Sequence, residues 1–182
     1  MSGRLFPTLF AALALALSTA CENDPRDVQR LSPDAESGVE TATGVELHYS
    51  DSAVVRVRVR APMMKSYIDP QKPRRVFPQG VGVEFFGPDR RPSSHLTAHY
   101  AVRYDNENRV ELRDSVVVWN NLGEKLETQQ MVWDDKTERL TADGFVKISR
   151  PGEIIMGYGL VSNLDFSRWH LSKVSGTVKT KI

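Results

Sequence analysis

The sequence predicts an all-β domain of many short strands. Three observations predict it. From Val45 onward nearly every apolar stretch alternates apolar and polar residues with period two, the pattern of a strand with one face buried. Beyond an N-terminal apolar run, no stretch sustains the spacing of an amphipathic helix. The second half of the chain also repeats itself at about 30 residues. With 182 residues there is room for one domain with a real core. The net charge of +1 excludes general nucleic-acid binding, and no nucleic-acid-binding signature is present.

The chain opens with "MSGRLFPTLFAALALALSTAC", in which Arg4 precedes an apolar run from Leu5 to Leu17 and the small residues Ser18, Thr19 and Ala20. The run is too short for a membrane-spanning helix and suits a signal peptide. Cys21, the only cysteine, stands where a lipoprotein signal is cleaved and acylated, and it has no disulfide partner in its own chain. Residues 1–20 are therefore expected to be a lipoprotein signal peptide, with lipidated Cys21 anchoring the chain to a membrane. A leucine usually stands three residues before such a cysteine; here Ser18 holds that place, with Leu17 one further back. Residues 21–44 are polar and lack aromatics, the composition of a flexible tether that would span roughly 25–30 Å. The β domain is then expected over 45–182.

The first strands are "VELHYS", with Val45, Leu47 and Tyr49 on one face, and "SAVVRVRVRAP". In the latter Val55, Val57 and Val59 face one way and Arg56, Arg58 and Arg60 the other. The arginine face reads first as the wet side of a sheet, and second as an anion-binding ladder suited to arginine's planar donor fork. "GVGVEFF" places Val83 and Phe85 inward, and "HLTAHYAVRY" does the same for Leu96, Ala98 and Tyr100. "DSVVVWN" contributes Val116 and Val118, and "GFVKIS" contributes Val146 and Ile148. Alternation predicts that these residues line the inner face. "GEIIMGYGLV" and "SGTVKTKI" complete the series.

"YDNENRVELRDSVVV" from Tyr104 and "WDDKTERLTADGFVKI" from Trp133 match in kind, with one residue inserted, and "NLDFSRWHLSKVSGTV" is a looser third copy. A unit of this length cannot bury its apolar face alone, which implies a stacked or rolled β architecture. His95 and His99 would lie about 13 Å apart along one strand face without a carboxylate or cysteine beside them, so no metal is expected. "GVGVEF" precedes no helix and is not a phosphate loop. Asp134, Asp135 and Asp165 read as turn residues, and Trp133, Phe166 and Trp169 as plugs of the core or its ends. Nothing indicates an enzyme or a cofactor.

"NLGEKLETQQMVWDDKTERLTADGFVKISRPGEIIMGYGLVSNLDFSRWHLSKVSGTV", from Asn121 to Val178, resembles the C-terminal part of the LptC family. These are periplasmic lipopolysaccharide-export proteins of the OstA-like superfamily. The densest similarity lies in "GYGLVSNLDFSRWHLSKVSGTV" and "GEKLETQQMVWD", and "YSDSAVVRVRVRAP" and "FPQGVGVEFF" resemble the family's early strands. The resemblance implies a rolled antiparallel β-jelly roll enclosing an apolar trough. It also implies the partners: lipopolysaccharide, an inner-membrane ABC lipopolysaccharide exporter that supplies it, and a periplasmic bridge protein of the OstA-like type that takes it onward. Many members are held by a transmembrane helix, whereas this chain carries what reads as a lipid anchor, in the periplasm and on the inner membrane. The terminal strand, with Thr177, Val178, Lys179 and Thr180, is the expected edge for a partner's strand, and equally reads as an ordinary last strand with solubilising lysines. An anchored envelope scaffold carrying no lipid is the second reading of function. A carbohydrate-binding β domain is the third, and it requires exposed aromatics.

Overall fold

The computed structural model describes residues 38–179, and nearly all of them form antiparallel strands. The strands are β1 (Val39–Asp51), β2 (Val54–Tyr67), β3 (Arg74–Phe77), β4 (Val81–Phe86), β5 (Pro92–Ala98) and β6 (Tyr100–Tyr104). After a 3₁₀ turn at Asp105–Glu107 come β7 (Arg109–Asn120), β8 (Lys125–Asp134), β9 (Arg139–Arg150), β10 (Glu153–Asn163) and β11 (Trp169–Lys179). The fold is all-β, as the alternation predicts, and jelly-roll-like, as the resemblance implies.

Two long strands organise the sheet. β2 pairs first with β4, through Val57–Arg60, and then with β3, through Lys65–Tyr67. β7 likewise pairs with β6 through Arg109–Arg113 and with β5 through Val117–Asn120. The β4–β5 and β3–β6 pairs bridge the two long strands, one near each end. β1 runs along the far side of β2, while β8, β9, β10 and β11 follow β7 as a meander. The sheet thus folds over on itself, and among the described residues β1 and β11 are its two free edges.

The repeat seen in the sequence is the repeat of a corner. Val110, Leu112, Val116 and Val118 on β7 are buried, and so are Leu140, Ala142, Val146 and Ile148 on β9. In each strand three exposed residues separate the two buried pairs: Arg113, Asp114 and Ser115, then Asp143, Gly144 and Phe145. Register shifts at these places, and between Thr128 and Val132 on β8, form a line of bulges along which the sheet bends. In the third copy Leu171 is buried but Val174 and Val178 are exposed, because no further strand among the described residues covers β11.

β1 starts at Val39, earlier than the expected domain boundary at Val45, so the tether cannot extend to Gly44. Glu40, Thr41 and Thr43 show no alternation of burial, yet their backbones pair with β2 at Ser66, Lys65 and Met63. Gly44, with φ +61°, sits opposite the gap at Pro62, which has no N–H to give. β3 was also hidden, because its "RRVF" offers too little alternation to register. Cys21, Thr180 and the predicted signal peptide lie outside the described residues.

Candidate functional site

The inner face forms one continuous apolar cluster. Val57, Val59, Val83, Phe85, Leu96, Ala98, Val116, Val118, Val146 and Ile148, all expected on the inner face, belong to it. Val55 and Tyr100 do not. Val55 sits where β1 and β2 run out, beside a register shift at Tyr49/Ser50 and the left-handed residues Ser52 and Ala53. Tyr100 fails because the alternation is not continuous. β5 stops at Ala98, His99 donates its N–H to the Asp114 carbonyl at 2.9 Å, and β6 restarts with Ala101 in the inward position. The same break removes His95 and His99 from a shared strand face. Among the described residues no group of three or more His, Cys, Asp or Glu is placed to hold a metal.

Aromatic residues pack the interior. Phe85 and Trp133 meet edge to face at 5.4 Å, and Phe166 stacks near-parallel to Trp169 at 6.4 Å. Phe166 is fully buried with φ +54°. That left-handed backbone is costly for a bulky residue and persists only where its surroundings hold it. Here the Asn120 amide donates to the Phe166 carbonyl at 3.0 Å, and the Ser94 hydroxyl donates to the Leu164 carbonyl at 2.9 Å. The β10–β11 turn is thereby fastened over one end of the core. Asp134 and Asp165 serve as turn acceptors, taking the N–H of Thr137 and of Ser167. Asp135 does not act in this way.

Asp135 instead accepts from Arg103 at 2.9 Å, at the other side of the trough. Arg103 also donates to Asp105 at 3.2 Å and lies 5.1 Å from the ring centre of Tyr49. Arg75 pairs with Asp105 at 2.9 Å and donates to the Tyr49 hydroxyl at 3.3 Å. Burial opposes the charge of Arg103, but the Asp135 hydrogen bond, with Tyr49 and Asp105 nearby, raises its guanidinium above the ordinary value. These contacts clasp the free-edge strand β1 to β3, β6 and the β8–β9 turn. Behind the clasp is a cavity of only about 20 Å³ lined by Tyr49, Val59, Phe77, Arg103 and Trp133. The indole N–H of Trp133 is buried there without a hydrogen-bond partner.

A larger groove, about 690 Å³, lies alongside the clasp. Val57, Phe85, Phe86 and Leu164 give it apolar surface, while Asp51, Arg56, Ser93, Glu138, Asn163 and Arg168 give it polar surface. This amphipathic lining suits a molecule with an apolar part directed to the core and a polar part left in water.

The arginine strand resolves residue by residue. Arg58 is ion-paired with Glu84 and half-buried. Arg60 donates to Glu46 at 2.7 Å and lies 3.4 Å from Glu84, while Arg56 lines the groove. The hydrogen bond from Arg60, then that from His48, holds the Glu46 carboxyl below the ordinary carboxylate range. Cross-strand carboxylates thus neutralise two of the three arginines, and the row is not an open anion ladder.

At the strand expected to meet a partner, Thr177, Val178 and Lys179 pair with Ile155, Ile154 and Glu153 of β10, and among the described residues the other edge of β11 is unpaired. β1 is a second free edge that sequence reasoning missed, since alternation identifies a strand but not its neighbours. The clasp was missed too.

The class these features define is an all-β, jelly-roll-like protein whose folded-over sheet encloses an apolar interior beside an amphipathic groove. The family comparison is specific. A family model described as "LptC: Lipopolysaccharide-assembly, LptC-related" matches residues 13–179, and the chain belongs to that family. Membership makes it a protein of the lipopolysaccharide transport bridge, periplasmic and membrane-associated, and not an enzyme. No curated protein matches the chain. Among the described residues no helix is long and apolar enough to cross a membrane.

Proposed function

We propose that this chain is the membrane-anchored component of the bridge that receives lipopolysaccharide from an inner-membrane ABC exporter and passes it to an OstA-like partner. Acyl chains are carried against the inner faces of β2, β4, β5, β7 and β9, and the sugars and phosphates remain at the groove. Each CH₂ left in water during transfer costs about 0.8 kcal/mol, so the apolar cover must be continuous. The observation that carries the reading is the single apolar cluster reaching from Val57 to Ile148 beside an amphipathic groove, within an LptC-family chain. Cys21 is the acylated residue, and Thr177, Val178 and Lys179 of β11, continued by Thr180 outside the described residues, form the edge to which the next protein adds its own strand.

One observation favours the second reading, an anchored scaffold that carries no lipid: the interior is filled by its own side chains, down to the cavity of about 20 Å³. In-cell photocrosslinking separates the two. A light-activated residue at Val57, which faces inward, is expected to capture lipopolysaccharide, and one at Lys147, which faces outward between buried Val146 and Ile148, is not. Capture at Lys147 alone would reverse the faces, and capture at neither, with export still dependent on the protein, would leave the scaffold. For the anchor, Cys21→Ala is expected to move the protein from the membrane fraction to the soluble periplasmic fraction. Retention in the membrane would mean that something other than acylation holds it.

A further inference from the structure

A shallow depression of about 180 Å³ lies on the outer face of the sheet, over Gly82. We propose that it is a subsite for one pyranose ring of a glycan. Gly82 is the first reason. It sits inside β4 without a left-handed φ, and a Cβ there would come no closer than 4.0 Å to any atom, the Arg60 carbonyl oxygen. The protein's own packing therefore does not require glycine. A glycine in a strand weakens it, and such a position often marks where a ligand approaches the backbone closely.

The rim is the second reason. Trp119 is 37% exposed and stacks on His95 at 5.1 Å with a 14° tilt, so that the His95–Trp119 pair on β5 and β7 forms an aromatic wall on one side of the depression. Arg58, Arg60 and Glu84 complete the rim. Their charges are already matched, Arg58 and Arg60 on Glu84 and Arg60 also on Glu46. A phosphate would have to displace the carboxylates, and an ammonium group would have to displace the guanidiniums. An uncharged sugar needs neither exchange: its C–H face lies against an aromatic ring, and its hydroxyls both donate to carboxylate oxygen and accept from guanidinium N–H. Val57 and Val59, buried on the other face of β2, take no part in the site, so occupying it does not compete with acyl chains in the trough.

Two sources offer such a ring, the saccharide of lipopolysaccharide and the glycan of the cell wall. The full chain should be titrated with deacylated lipopolysaccharide core oligosaccharide and, separately, with the disaccharides that lysozyme releases from peptidoglycan. Tryptophan fluorescence and calorimetry give the readout; Trp133 is buried and Trp169 packs against the core, so Trp119 should dominate the fluorescence change. Saturable binding of one of the two is expected, and which one binds names the source. Gly82→Val fills the floor with a strand-favouring side chain and should weaken binding at least tenfold while leaving the melting temperature unchanged or higher. Trp119→Ala should weaken the calorimetric signal similarly. Lipopolysaccharide capture at Val57 should persist in both variants, which keeps this test separate from that of the trough. Binding of neither oligosaccharide, undiminished binding in both variants, or displacement of the sugar by equimolar inorganic phosphate would overturn the proposal.

Discussion

Arg103 touches more of the molecule than its place on a five-residue strand suggests. Its guanidinium holds Asp135 and Asp105 and lies beside Tyr49, with only 12% of the side chain exposed. Removing one partner from a mostly buried pair leaves the others' charges uncompensated, so Arg103→Ala is expected to destabilise the fold by about 2–4 kcal/mol in urea denaturation. Arg103→Lys should recover only part of that, because an ammonium cannot serve two carboxylates in a planar fork. A loss below about 0.5 kcal/mol for the alanine variant would mean the clasp is ornamental, as exposed ion pairs often are. The carboxylates give a pH prediction with a definite sign. Glu46 and Glu127 are held below their ordinary value of 4.5, by hydrogen bonds from Arg60 and Lys125 respectively. A carboxyl with a depressed folded-state pKa contributes fully above its unfolded value and loses that contribution as pH falls through the folded value. The melting temperature should therefore be flat from neutral pH to about 4.5 and fall below it. A decline beginning near neutrality would mean that groups other than these carboxylates set the pH dependence. At this scale the sequence was readable where a side chain's direction follows from its neighbours, as for Val57 and Leu96. It was not readable where chain direction changes, as at His99, and that is why Tyr100 was misplaced.

Strands depend on how closely their backbones approach. At Gly157 on β10 a Cβ would come within 2.4 Å of the Lys173 carbonyl oxygen on β11, beside the register shift at Met156/Gly157. A backbone oxygen cannot move aside cheaply, so Gly157→Ala must push β11 away from β10. Overpacking of this kind typically costs about 1–3 kcal/mol. Because β11 is a free edge, the damage should be local: amides of Trp169–Lys179 should lose hydrogen-exchange protection while those of β7 and β8 keep theirs. Under the proposed strand docking, partner binding at this edge should weaken in the same variant. Uniform loss of protection would show instead that β11 is part of the cooperative core. The bulge line explains why the repeat was legible without its meaning. Asp114 and Gly144 occupy equivalent corner positions, and a period-two scan registers them only as interruptions between matched apolar pairs. β1 before Val45 was illegible for the opposite reason, since a strand paired on one side with little buried face is recorded in backbone hydrogen bonds rather than in side-chain polarity.

For the whole molecule the filled interior poses a mechanical question. Packed cores do not stretch continuously, so behind the clasp, where the cavity is only about 20 Å³, the proposed acyl chain enters only if a wall moves as a unit. β1 is suited to that, being paired on one side to β2 and held across the opening by Tyr49 against Arg103 and Arg75. The arrangement joins residues far apart in the chain, Tyr49, Arg75, Arg103 and Asp135, with no local pattern. The apolar lining was readable from the sequence but its closure was not. The contact between a ring and a guanidinium is worth about 0.5–2 kcal/mol. Tyr49→Ala should therefore lower the melting temperature by a few degrees and, by loosening β1, speed capture of lipopolysaccharide at a photoreactive residue at Val57. Tyr49→Phe keeps the ring and loses only the Arg75 hydrogen bond, so it should behave nearly as the unaltered protein in both measurements. Slower capture in Tyr49→Ala, with the same loss of stability, would mean that the ring grips the passing lipid rather than restraining the wall. Unchanged capture would place the moving wall elsewhere, with β11 the next strand to test because it is the sheet's other free edge.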